Sequence, residues 1–272
     1  MRIFYDTDTQ VDFMSENGAL YVPGAEEIRL SLKKLTQYAR NNNIPIIGSV
    51  DRHFGTEKYK EKELELQRWG GLFPDHCMDD TAGFEKISET SISPLYFDVH
   101  VSSHRTDDLY IPCLREENIS FSKYMMRYES IISPDKIDSF YQNFTTEKRI
   151  SWWHSILSGI NLENITSALN ELKQEKSKGI YFEKQSYDIF SNSHLDIFLH
   201  EAKVSEAIVY GVATDYCVKA VVLGMQKREI QTYVVEDAIQ GITEESSVAA
   251  IEEMKLSGAK IVSLEQVLGG KF

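Results

Sequence analysis

Apolar residues recur along this chain in two alternating rhythms. Short runs rich in β-branched and aromatic residues read as buried strands: Ile3-Phe4-Tyr5, Ile44–Val50, Ile180–Phe182, Ala207–Val212, Thr232–Val235 and Lys260–Val262. Between them the apolar positions return at helical spacing. Ile28, Leu32, Leu35 and Ala39 mark an amphipathic helix over 25–41, and 193–203 and 244–257 read as two more. Val218, Val221, Val222 and Met225 mark another directly after the Ala207–Val212 strand, where Thr214 or Asp215 stands ready to cap it. Strand–helix alternation of this kind predicts an α/β fold, a doubly wound, mostly parallel six-stranded sheet with helices on both faces.

Over 90–179 the alternation loosens. Tyr96–Val101 fits a strand, 135–144 a helix, and 161–176 a helix with Leu162, Ile165, Leu169 and Leu172 on one face. Trp152-Trp153-His154 forms an aromatic cluster without a partner motif. The expected organisation is one domain over 1–272, with a core of 1–89 and 180–272 and an inserted subdomain or lid over 90–179.

Composition narrows the partners more than the fold. A net charge of −13 over 272 residues excludes the clustered Lys and Arg that a nucleic acid or anionic membrane surface requires. No apolar run approaches the roughly 20 residues of a membrane span, and the chain enters a strand at Arg2 rather than a signal peptide's apolar stretch. Cys77, Cys113 and Cys217 are odd in number and far apart, so no disulfide framework is implied. These features lead us to expect a reduced, cytoplasmic protein, with self-association into a homo-oligomer left open.

Candidate chemistry gathers where strands end, the side on which open α/β sheets bind ligands. Cys217 falls in the first turn of the helix after Ala207–Val212, where a helix N-terminus lowers a thiol's pKa. A buried small apolar residue is the equally ordinary fate of a lone cysteine. Asp6, Asp8 and Asp12 crowd the end of the first strand; capping and turn formation account for single carboxylates there, but three together are costly unless solvated, paired or functional. Asp51 and His53 stand two residues apart on a strand and share a face, as metal ligands or as a surface pair. Lys184 closes another strand, where a lysine usually reaches to solvent.

Taken together, these segments resemble one family. Gly211-Val-Ala-Thr-Asp-Tyr-Cys-Val218 is similar to the nucleophile segment of the isochorismatase-like cysteine hydrolases, the superfamily that includes nicotinamidases. Asp8-Thr-Gln-Val-Asp-Phe13 resembles its first motif, Phe73-Pro-Asp-His-Cys77 its metal-binding loop, and Lys184 with Ser186–Phe190 the segment around its lysine. The resemblance implies a catalytic trio of Asp8, Lys184 and Cys217, with Asp12 structural and Asp6 a decoy. It implies one divalent metal, zinc first and manganese or iron as alternatives, on Asp51, His53 and His76. It further implies an oxyanion hole from the backbone of Ala213 and Cys217, a cis bond between Val212 and Ala213, and a substrate ring flanked by Phe13 and Phe73.

The implied activity is metal-dependent amidohydrolysis of a small carboxamide through a Cys217 thioester, nicotinamide to nicotinate and ammonia being the foremost case. The alternatives are another amide, a carbamoyl compound or a vinyl ether of the isochorismate kind, or a non-enzymatic binding module on the same fold. Two positions depart from the nicotinamidase pattern: Arg52 and Phe73 stand where tryptophans are common, and the 90–179 segment is much longer than usual.

Overall fold

The computed structural model describes residues 1–91, 109–111, 170 and 179–271. They belong to the first of two units, Met1–Cys113 with Ser167–Phe272; the second is Leu114–Thr166. The strand expected at 96–101, the helices at 135–144 and 161–176, the Trp152-Trp153-His154 cluster and the bulk of the lid lie outside the described residues.

Among the described residues seven parallel strands form one sheet in the order β3-β4-β2-β1-β5-β6-β7. They are β1 (Arg2–Thr7), β2 (Ile46–Asp51), β3 (Leu109–Ile111), β4 (Gly179–Lys184), β5 (Glu206–Val212), β6 (Gln231–Gln240) and β7 (Lys260–Val262). Six of these are the strands that the apolar runs predict. The seventh, β3, is a short edge strand that the 90–179 segment adds beside β4, pairing Tyr110 with Tyr181. β1, β2, β4 and β5 are buried almost throughout, as strands covered on both faces must be.

Among the described residues the helices are α1 (Val11–Met14), α2 (Arg29–Asn41), α3 (Ser193–Glu201), α4 (Lys219–Gln226), α5 (Glu244–Leu256) and α6 (Leu264–Leu268). α2 buries Leu32, Leu35 and Ala39 as their spacing predicts, while Ala25–Ile28 forms a separate 3₁₀ turn ahead of it. Leu32 and Leu35 join Phe4, Val50, Tyr181 and Tyr210 in one core cluster on that side of the sheet. No helix among the described residues is long and apolar enough to cross a membrane.

The arrangement of β1 positions the site. It pairs with β2 on one side, Thr7 opposite Ser49, and with β5 on the other, Thr7 opposite Gly211. The chain therefore leaves β1 first to one side and later returns on the other, which makes the C-terminal end of β1 a topological switch point. A Cβ on Gly211 would lie 2.0 Å from the Thr7 carbonyl oxygen, and its φ is +115°, so this close approach requires glycine.

Candidate active site

Four strand ends meet at that switch point. Asp8 follows β1, Asp51 closes β2, Lys184 closes β4, and Cys217 lies in the turn after β5. Asp51 and Lys184 are register partners on adjacent strands, so their side chains emerge together. Lys184 Nζ hydrogen-bonds Asp51 Oδ1, lies 3.0 Å from Asp8 Oδ2 and 3.6 Å from Cys217 Sγ. All four residues are buried. The structure thus unites the three residues of the implied trio around one ammonium group.

Asp8 is the carboxylate that reaches this group, and Asp6 is not. Asp6 shares the Tyr181 face of the sheet, opposite Lys184, and accepts from Lys86 Nζ at 2.6 Å, Thr9 Oγ1 at 2.8 Å and Tyr181 OH at 3.1 Å; the positive φ of Asp8 breaks the alternation that would otherwise keep it on that face. Asp8 leaves the strand with φ +47°, its backbone N–H bonded to Ser49 O at 3.2 Å. Asp12 is structural: its carboxylate accepts the N–H groups of Cys77 at 2.6 Å and Ala19 at 2.9 Å. Gln10 completes the motif, exchanging both amide hydrogen bonds with the Asp51 backbone at 2.7 and 2.8 Å.

The electrostatics differ in one respect from the sequence expectation. Burial pushes the Cys217 thiol well above its ordinary pKa, and Lys184 opposes that rise without cancelling it. The helix start therefore does not by itself bring this thiol below its ordinary range. Burial also raises Asp8 against the pull of Lys184, which makes its carboxylate a better proton acceptor. Burial disfavours the Lys184 charge too, but Asp51 and Asp8 outweigh it and keep the ammonium protonated. For Asp51 burial is outweighed by Lys184 and the two histidines, which hold the carboxyl well below its usual range.

The first turn after β5 is a π-helical turn, Thr214–Val218, that runs into α4. Neither Thr214 nor Asp215 caps it. Ala213 holds the cap position with no side-chain bond, and Asp215 instead accepts from Ile242 N at 3.1 Å and Ser246 Oγ at 2.6 Å. The Val212–Ala213 peptide bond is cis, as the resemblance implies.

Asp51 also faces the second half of the site. Ligand atoms of Asp51, His53, Glu65 and His76 all lie within 4.8 Å of one another. Nδ1 of His76 is bonded to the Pro74 carbonyl at 2.7 Å, which leaves Nε2 facing Asp51 Oδ2 at 3.6 Å and Glu65 Oε1 at 3.8 Å. His53 is fully buried, and neither ring nitrogen makes a hydrogen bond among the described residues. A buried imidazole without a hydrogen bond, set beside a second imidazole and two carboxylates, fits the donor set of a divalent N/O-ligated metal. Glu63 sits behind His53, accepting from Phe54 N at 2.6 Å and Gly55 N at 3.0 Å.

Glu65 is the residue that sequence reasoning misses. It lies in Glu57–Gln67, a charge-rich stretch that reads as a solvated loop. The only local signal is the alternation Glu63-Leu64-Glu65-Leu66, in which Leu66 and Glu63 are fully buried while Leu64 is exposed. Phe13 and Phe73 do stand beside the cluster, their rings 5.4 and 6.2 Å from that of His76. Tyr216 lies edge-on to Phe73 at 5.6 Å. Cys77 is buried, and burial pushes its thiol well up.

A family model described as the isochorismatase domain matches residues 161–266. The nicotinamidase of Escherichia coli strain K12 is 31% identical over 110 residues, 35% of this chain and 52% of the relative. The nicotinamidase/pyrazinamidase of Mycobacterium tuberculosis is 32% identical over 65 residues, 24% of this chain and 35% of the relative. This chain thus spans about half and about a third of the length of the two relatives it matches. Among solved structures, the pyrazinamidase of Pyrococcus horikoshii in complex with zinc superposes with a TM-score of 0.58 at 20% identity, covering 96% of this chain and 98% of that one.

Proposed function

We propose that this chain, whose residues 161–266 match the isochorismatase domain, is a cysteine amidohydrolase of the nicotinamidase type. The observation that carries the reading is the convergence of Asp8, Lys184 and Cys217 on one buried point beside the Asp51–His53–Glu65–His76 cluster. In this reading Asp8 takes the Cys217 proton as the sulfur attacks a carboxamide carbon, so that base and nucleophile form one unit. Lys184 offsets the charge passing between them. Backbone N–H groups of Ala213 and Cys217 receive the oxyanion. Asp8 then returns the proton to the leaving nitrogen, ammonia departs, and water hydrolyses the thioester to the carboxylic acid. The sum is carboxamide plus water giving acid plus ammonia.

Asp51, His53, Glu65 and His76 would hold one divalent ion, zinc first and manganese or iron on the same donors. Such an ion supplies a Lewis acid to anchor a ring nitrogen, which favours a pyridine carboxamide such as nicotinamide. Phe13 and Phe73 flank the ring beside His76. Formal charge supports a neutral substrate over an anionic vinyl ether: among the described residues the carboxylates of Asp8, Asp51 and Glu65 outnumber the one ammonium of Lys184 beside them, and a divalent ion would only restore balance.

The test is ammonia release from a panel of aryl and alkyl carboxamides, with and without a chelator, for the wild type and Cys217→Ala. The expected result is release from pyridine carboxamides that is lost with chelator and lost in a folded Cys217→Ala. Substantial release by that variant removes Cys217 from the mechanism.

A further inference from the structure

Arg52 lies between two proposed metal ligands yet points away from them. Asp51 and His53 share one face, so Arg52 emerges on the other, the face it shares with Glu183 of the adjacent strand. Its guanidinium is buried between Phe54 and Phe84, with ring centroids at 5.4 and 5.3 Å. There it makes a fork. Nε and Nη2 donate to Asp79 Oδ1 at 2.8 and 2.6 Å, and Nη1 donates to Glu183 Oε1 at 2.5 Å.

Each partner adjoins a segment that carries site residues. Glu183 directly precedes Lys184. Asp79 lies three residues after His76, on the segment that is sewn to His53 by His53 N to Cys77 O at 3.1 Å and Asp79 N to His53 O at 2.7 Å. Arg52 N bonds to Lys184 O at 2.9 Å, and Arg52 O accepts from Gln185 Nε2 at 3.1 Å. One side chain therefore ties together the backbones that present Asp51 and His53, His76, and Lys184.

We infer that Arg52 is a positioning residue, which fixes the separation of the Asp51/His53/His76 ligand group from Lys184 by way of Asp79 and Glu183. Stability alone is a poor account of it. Taking an arginine and the carboxylate of Glu183 out of water costs much of what their attraction returns, and apolar replacements of such groups are often neutral or stabilising. What a planar, bidentate fork supplies that apolar packing cannot is a fixed geometry between its two acceptors. The position resists lysine for the same reason: an ammonium meets one carboxylate at a time.

This inference rests on the metal reading above, and the experiment separates the two. Zinc affinity is measured by competition with a chromogenic chelator for the wild type, Arg52→Met, Arg52→Lys and Asp79→Asn, with circular dichroism on the same samples. The expected result is a ten- to hundredfold weaker zinc dissociation constant in Arg52→Met, partial recovery in Arg52→Lys, and a smaller loss in Asp79→Asn. Asp79→Asn keeps the Glu183 pair, so it serves as the deciding variant if Arg52→Met does not fold. Unchanged zinc affinity in a folded Arg52→Met, or in Asp79→Asn where the former is unfolded, overturns the positioning role whatever happens to the melting temperature. No zinc binding by the wild type overturns the metal assignment, and the inference with it.

Discussion

Two aspartates two residues apart have different tasks, and the difference is one of direction along a strand. Asp6 is locked to Lys86, Thr9 and Tyr181, whereas Asp8 turns out of β1 toward Lys184. Asp8→Asn therefore removes the proton acceptor and lowers kcat by roughly 10²–10⁴, with Lys184 still paired to Asp51. Asp6→Asn strands a buried ammonium on Lys86 and costs about 3–5 kcal/mol of stability, with turnover retained in whatever fraction folds. Denaturant melts and steady-state kinetics on both variants check this; a dead, fully stable Asp6→Asn beside an active Asp8→Asn reverses the assignment. At this scale the trio was legible because each member sits in a short motif at a strand end. Glu65 was not, since its neighbours are charged and its burial arises only when the loop folds back over His53 and His76. The raised thiol of Cys217 was illegible for the same kind of reason: a helix start is visible in sequence, whereas the depth of desolvation is not.

At the scale of elements, periodicity located those that bury a face and missed those held by caps. α2 and the strands have their apolar positions in register with the core, and their bounds fall within a few residues of the pattern except for β6, which runs on from the expected Val235 to Gln240. α1, four residues long, and α6 carry too little periodicity to register; α6 is fixed instead by a reciprocal capping box between Ser263 and Gln266. β3 is three residues long and becomes a strand only because β4 offers it an open edge. α3 carries a prediction of its own. His194, in its first turn, is buried; burial pushes its imidazole down to about 4. The unfolded chain binds that proton near the ordinary value of about 6.5, so between those values the unfolded state holds more protons and stability falls as pH falls. From pH 7.5 to 4.5 this one group withdraws about 2–3 kcal/mol. Urea unfolding of the wild type and His194→Leu at both pH values checks it: the variant should lose less stability on acidification, and parallel losses would show that folding does not depress the His194 pKa.

For the whole molecule, the sheet's winding gathers residues that are far apart in sequence, and a bound ion should reinforce the gathering. Asp51 and His53 come from the end of β2, Glu65 from the loop beyond it, and His76 from the segment that bonds back to His53. The unfolded chain has no such cluster, so an ion that binds this site binds the native state alone. Free zinc at a hundred times its dissociation constant then adds about 2.7 kcal/mol to the unfolding free energy. For a chain of this length each kcal/mol moves the melting temperature by about 2–4 °C, so zinc should raise it by roughly 5–10 °C over the chelated protein. His76→Ala removes a ligand but sits outside the Asp8–Lys184–Cys217 trio, and its melting temperature should respond little to zinc. Cys217→Ala leaves the four ligands in place and should respond as the wild type does. Calorimetry of the three proteins, each with zinc and with chelator, distinguishes the cases. A zinc response that disappears in Cys217→Ala and survives in His76→Ala would move the ion to the neighbouring Asp8–Asp51–Cys217 group, where the Lys184 ammonium already stands between the carboxylates and the sulfur.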